Sequence, residues 1–182
     1  MPRWTPLDPD TATGNTKELL DAVHAALGVT PNMTRQMAVN PSVLQGWLEL
    51  NGTLSRTLPT QLNELIAIAV AEQNNCSYCL SAHTAIGKMV GIEHAELALS
   101  RAGNSSDPKI AAALTFAQAI NTKRGAVSDQ DVALVRAGGY DDGEIAAIVA
   151  QVAINVFTNY FNLVAQPTID FPVATPGMAT AA

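Results

Sequence analysis

The segment from about Asp142 to Ala165 constrains the fold more than any other, because it reads as one long helix with no polar face. Asp141 and Glu144 form a capping-box pattern at its start. Beyond them Ile145, Ile148, Val149, Val152, Val156, Phe157 and Phe161 run round the whole cylinder. A helix that is apolar on nearly all sides must be covered on most of them. It therefore belongs at the centre of a bundle or in a subunit interface. Asn155, Asn159 and Asn162 on it need partners if they are buried.

The rest of the chain supplies helices to cover it. Leu19, Leu20, Val23 and Leu27 show helical spacing from Asn15 or Thr16 until Gly28 ends the run. Thr30-Pro31 and Asn40-Pro41 each read as a cap followed by proline at the first helical position, the second opening a helix to about Leu54. Pro59 starts a central helix, and a second one follows from Cys76 to near Gly91. Shorter helices are predicted over Ile92–Arg101, from Asp107-Pro108 to Lys123, and from Ser128 to Arg136 before Gly138-Gly139. No strand periodicity is present. The expectation is an all-α, single-domain helical bundle over residues 1–182, with extended N- and C-terminal arms. Trp4 and Leu7 would dock the first arm, and the last is expected to fray after Pro172.

Composition narrows the function. With 182 residues, 48% hydrophobic and only 14% charged, the helices must bury more than one face, which points to a homo-oligomer. A net charge of −6 and the lack of a basic stripe argue against nucleic acid. The N-terminus MPRWTPLDPDTATG has no apolar core of a signal peptide, and the longest unbroken apolar run, Leu65 to Ala71, is too short to span a bilayer. A cytoplasmic address without membrane partners follows. In that reducing compartment a close cysteine pair is redox-active rather than structural.

That pair lies in NELIAIAVAEQNNCSYCLSAHT, residues 63–84. It contains both cysteines, Cys76 and Cys79, with His83 four residues further on and Glu64 upstream. Spacings of three and four place Cys76, Cys79 and His83 on one helical face. Asn74-Asn75 reads as the break and N-cap before it. Both thiols then lie in the first turn, where the helix dipole and a neighbouring imidazolium favour a thiolate against the opposing effect of burial. At least one cysteine is expected to have a depressed pKa. In a straight helix Glu64 would stand about 18 Å from Cys76. Any catalytic role for Glu64 thus requires the chain to turn at Asn74-Asn75 and pack back on itself; otherwise it is a solvated first-turn carboxylate.

Competing readings are weaker. So small a disulfide loop adds little stability as a structural cross-link. Zinc held by Cys76, Cys79, His83 and Glu64 is conceivable but outweighed by redox chemistry. A thioredoxin-type site needs strands that the sequence lacks. His24 and His94 are surface residues with no second ligand nearby, and Met33, Met37 and Trp47 are core or the wall of a small cavity over the thiols.

Glu64, eleven intervening residues, Cys76-x-x-Cys79 and, after three more, His83 resemble the signature of the AhpD-like alkylhydroperoxidases within the carboxymuconolactone decarboxylase superfamily. The string NNCSYCLSAHTAIGK is similar to the peroxidase-related subgroup, and the likeness extends from PNMTRQMAVNPSVLQGWL through GYDDGEIAAIVAQVAINVFTNYFN. The resemblance implies an AhpD-like bundle and a cofactor-free thiol peroxidase acting on small organic hydroperoxides. Cys79 would attack the peroxide and pass through a sulfenic acid, and Cys76 would resolve it to a disulfide. His83 would take the Cys79 proton, with Glu64 orienting that imidazole. An external dithiol would reduce the enzyme, and the assembly would be a trimer or hexamer. One position departs from the pattern: founding AhpD proteins carry histidine between the cysteines, and this chain has Tyr78, which the helical wheel turns away from the cysteine face. The same superfamily also includes muconolactone-type decarboxylases, which are not built on a cysteine pair, and members without robust catalysis.

Overall fold

The computed structural model describes residues 1–177 and contains nine α-helices and no strand among them. In chain order these are α1 (Gly14–Leu27), α2 (Asn32–Met37), α3 (Pro41–Leu54), α4 (Thr60–Gln73), α5 (Ser77–Met89), α6 (His94–Arg101), α7 (Pro108–Thr122), α8 (Asp129–Ala137) and α9 (Asp142–Ala165).

Local chemistry explains most of the boundaries. Asn40 and Asp107 accept backbone N–H bonds at the starts of α3 and α7, each with proline following at the first helical position. Full capping boxes open α8 through Ser128 and Asp131 and α9 through Asp141 and Glu144. Gly28 ends α1 in the left-handed conformation at φ 72°. At two starts the structure differs from expectation by one residue. Pro31 and Pro59 precede α2 and α4 in an extended conformation instead of occupying the first helical position. Their φ values of −59° and −55° fit the fixed pyrrolidine ring equally well in either place.

The most covered helix is α4, not α9. Leu62, Asn63 and every residue from Leu65 to Ala71 are buried, and α5, α6, α7 and α9 surround the helix. Ala67, Ala69 and Ala71 alternate with Ile66, Ile68 and Val70, so neighbouring helices approach closely and still bury large side chains. Each such buried Leu, Ile or Val contributes roughly 1.5–3 kcal/mol relative to exposure. α9 instead presents Ile148, Val152, Asn155, Asn159 and Asn162 inward and leaves Val149, Phe157, Tyr160 and Val164 exposed. By length and composition α9 could cross a membrane, but half of its most apolar window is buried by the rest of the chain, as in a core helix of a globular protein.

A smaller cluster of Leu20, Val23, Met37, Ala38 and Leu44 joins α1 to α3, and Met33 packs against both clusters. Both arms are fastened to the body. Trp4 donates its indole N–H to the Gln36 carbonyl at 3.2 Å and packs edge-on against Phe161. Leu7 joins α2 by donating its backbone N–H to the Arg35 carbonyl at 3.1 Å. The C-terminal arm does not fray at Pro172. Ala174 N–H donates to Ser81 Oγ at 2.9 Å, Arg101 donates to the Thr175 carbonyl at 2.7 Å, and Gly177 N–H donates to Glu72 at 2.6 Å.

A candidate active site at the turn between α4 and α5

The chain reverses at Asn74 and Asn75. Asn75 adopts φ 54°, in the left-handed region that asparagine tolerates better than most residues. Asn74 ties the turn to two other helices. Its Nδ2 donates to Asn159 Oδ1 on α9 at 3.0 Å, and its Oδ1 accepts from Asn121 Nδ2 on α7 at 3.0 Å. The reversal lays α5 against α4 and brings Glu64 to His83, where Nδ1 and Glu64 Oε2 are 2.8 Å apart. The expected return of the glutamate to the imidazole is thus present. Among the described residues His83 Nε2 makes no hydrogen bond, which leaves it the free nitrogen of the ring. The pair is mostly enclosed but retains solvent contact, with side-chain exposures of 25% for His83 and 14% for Glu64.

The helix cap differs from expectation. Cys76 itself is the N-cap of α5, and its sulfur accepts the Cys79 N–H at 3.2 Å. Asn74-Asn75 make the bend, and the cap follows one residue later. A sulfur at this position faces the N-terminal N–H groups, where the helix dipole favours negative charge. Cys76 and Cys79 are joined as a disulfide with Cα atoms 5.3 Å apart, and both are almost wholly buried, 1% and 3% exposed. His83 stands one helical turn beyond Cys79. Among the described residues no cluster of three or more His, Cys, Asp or Glu side chains is arranged to hold a metal.

One further side chain, Asn162, touches a cysteine sulfur and was not marked as a site residue in the sequence, and Met33 and Tyr78 adjoin it in turn. Asn162 Nδ2 lies 3.3 Å from Cys79 Sγ and 3.2 Å from Met33 Sδ, while its Oδ1 is buried without a partner. Met33, read in the sequence as core or cavity wall, is half-buried and packs against both hydrophobic clusters. Tyr78 is buried, donates its hydroxyl to Asp170 Oδ2 at 2.6 Å and accepts the Met33 N–H at 3.2 Å. Burial first, then the adjacent carboxylate, push the Tyr78 phenol far above its ordinary pKa. Asp170 also accepts from Asn32, so the phenol fastens both α2 and the C-terminal arm to the cysteine helix. The one signal for Asn162 was its position as an amide on an apolar helix. For Asp170 there was none, because extended arms carry no periodicity. His24 and His94 are exposed, as expected.

Residues 41–121 match the carboxymuconolactone decarboxylase family. No curated protein matches the chain in sequence. In structure the chain is similar to a peroxidase-related protein from Ralstonia eutropha JMP134 with an alkylhydroperoxidase AhpD core. The TM-score is 0.83 and the identity 19%, over 93% of this chain and 92% of that one. It is also similar to the debrominase Bmp8 in complex with 2,3,4-tribromopyrrole, with TM-score 0.78 and 22% identity over 93% and 94% of the two chains. A peroxidase-related protein from Silicibacter sp. TM1040 aligns with TM-score 0.76 and 21% identity over 91% and 94%.

Proposed function

We propose that this chain, whose residues 41–121 match the carboxymuconolactone decarboxylase family and whose fold is similar to that of a protein with an AhpD core, is a thiol-dependent peroxidase reducing small organic hydroperoxides through Cys79 and Cys76. The observation that carries this reading is the coincidence of a bonded Cys-x-x-Cys pair with the His83–Glu64 contact one turn away. A structural cross-link has no use for an oriented imidazole beside it.

In the reduced enzyme His83 takes the proton of the Cys79 thiol, and Glu64 on Nδ1 orients the ring and stabilises the imidazolium. The thiolate attacks the outer oxygen of the hydroperoxide, the O–O bond breaks, and the S–O bond of a sulfenic acid forms. The departing alkoxide recovers the proton from His83 and leaves as the alcohol. The Cys76 thiol then displaces the sulfenic hydroxyl as water, which closes the disulfide. Per turnover one hydroperoxide gives one alcohol and one water, and two thiols are oxidised. An external dithiol reopens the bond by thiol–disulfide exchange. The exposed apolar stripe of α9 supports the expected homo-oligomer, since Phe157 and Tyr160 lie open to solvent in the single chain.

Turnover of an organic hydroperoxide with dithiothreitol as reductant tests the reading. Cys79→Ser should abolish it, and Cys76→Ser should retain one trappable sulfenic acid on Cys79. Equal residual turnover in the two variants contradicts the assignment. A second thiol chemistry has one observation in its favour, the structural likeness to a debrominase. Two thiols can reduce an aryl bromide to arene and bromide while forming the same disulfide. Bromide release from tribromopyrrole, without hydroperoxide turnover, would select that reading.

A further inference from the structure

We propose that Asn162 is the residue of α9 that holds the Cys79 sulfur in its reactive anionic form. This rests on the thiol-redox reading of the same site and adds a residue to it from a helix that contributes none of the four signature side chains.

Asn162 is 4% exposed and sits at the sulfur. Its Nδ2 is flanked by two sulfurs, Cys79 Sγ at 3.3 Å and Met33 Sδ at 3.2 Å, both of which only accept. That pairing fixes which end of the amide faces the sulfurs. A disulfide or thioether sulfur is a weak acceptor and a thiolate a strong one, so the contact gains most when Cys79 carries the charge. The other end of the amide is available as well: Oδ1 is buried without a partner, a state it shares with one end of Gln36, Asn63, Gln151 and Asn159, so the assignment rests on the Nδ2 contact with the sulfur. On the same side chain as the Nδ2 at the sulfur, Oδ1 is an acceptor for the O–H of an arriving hydroperoxide or of the sulfenic acid.

The ionisable groups on the surrounding elements are Cys76 at the N-cap of α5, Tyr78, His83 and the exposed Lys88 on α5, Glu64 and Glu72 on α4, and Asp170; Tyr78 is held by Asp170, His83 by Glu64 and Glu72 by Arg101. On α2, Arg35 is committed to the Leu7 carbonyl and Asn32. From Ile145 to Ala165 α9 carries no acidic or basic side chain. Its contribution to the charge on Cys79 is therefore a neutral N–H donor. A cation at this depth would demand a desolvation cost that an amide avoids. His83 supplies the proton acceptor from α5 and Asn162 the donor from α9, so the two effects on the thiol are separable by substitution.

The test uses Cys76→Ser, which leaves Cys79 as the single thiol and keeps a good N-cap residue. Alkylation of Cys79 by iodoacetamide is followed against pH. Adding Asn162→Leu should raise the apparent pKa of Cys79 by about one unit, roughly tenfold slower alkylation at neutral pH. Asn162→Ser, which keeps a donor, should recover part of that loss and covers the case in which the leucine variant does not fold. Asn155→Leu, two turns earlier on the same buried face, should leave the profile unchanged. An unshifted profile in Asn162→Leu, or an equal shift in Asn155→Leu, overturns the assignment. Alkylation needs no peroxide, so the two proposals can fail separately: a shifted profile in a protein that turns over no hydroperoxide rejects the peroxidase reading alone.

Discussion

The two sides of the Cys76–Cys79 bond are built differently. On one side His83 and Glu64 face each other across neighbouring antiparallel helices, partly wet and carrying ionisable groups. On the other side Asn162, Met33 and the Tyr78–Asp170 pair come from α9, α2, α5 and the C-terminal arm. There Asn162 and Tyr78 are buried, Met33 is half-buried and Asp170 is exposed, and their contacts hold three distant segments together. Ionisable groups with water access can exchange protons on each turnover, whereas a buried network that joins segments makes the site rigid. The His83–Glu64 side should therefore govern rate, and the Asn162 and Tyr78–Asp170 side stability together with the charge on sulfur.

Three substitutions and one change of condition can break that division, in falling order of effect. His83→Ala should slow hydroperoxide turnover by about a hundredfold or more, within the usual range for losing a general base, with little change in Tm. Glu64→Gln should cost about tenfold, because the ring keeps a partner but loses the charge that stabilises its protonated form. A large drop in Tm with unchanged turnover would place this pair among the structural contacts instead. Tyr78→Phe should behave oppositely. Losing the hydroxyl leaves Asp170 and the Met33 N–H short of a partner and should cost about 1–3 kcal/mol. Faster hydrogen exchange at Ala174 would report loosening of the arm. Loss of turnover without loss of stability would contradict the division.

The smallest effect is on pH. A folded-state phenol pKa above its unfolded value favours the native state while the phenol is neutral, so this stability is complete below about pH 10 and is lost as pH rises further. Tyr140, pushed up to about 12 mainly by burial, acts in the same direction. Tm should stay level up to about pH 10 and then fall, and Tyr78→Phe should flatten the fall. A decline that begins near neutrality would point to another group.

What could be read from the sequence follows this same contrast. Cys76, Cys79 and His83 stand three and four residues apart, so helical geometry alone unites them. Glu64 needed only the turn that Asn74-Asn75 announced. Asn162 and Asp170 stand 83 and 92 residues from their partners, Cys79 and Tyr78, and no local period encodes such a meeting. The helices were legible because caps and prolines are local chemistry. The choice of central helix was not. α9 is the more hydrophobic, but α4 carries the alternating small residues that let four helices approach it, and that advantage exists only once the helices pack. Tyr78 adds to the contrast: the cover that α2 and the C-terminal arm give it comes from distant segments that the helix alone does not announce.

The central claim is that the two sulfurs cycle between thiols and a disulfide at the expense of a peroxide. The most direct measurement is a free-thiol count on reduced protein before and after one equivalent of cumene hydroperoxide, with mass spectrometry locating the linkage. Loss of two thiols per peroxide consumed, with the bond between Cys76 and Cys79, is the predicted result. Two thiols remaining after the peroxide has been offered, or zinc found stoichiometrically bound to them, would contradict the account.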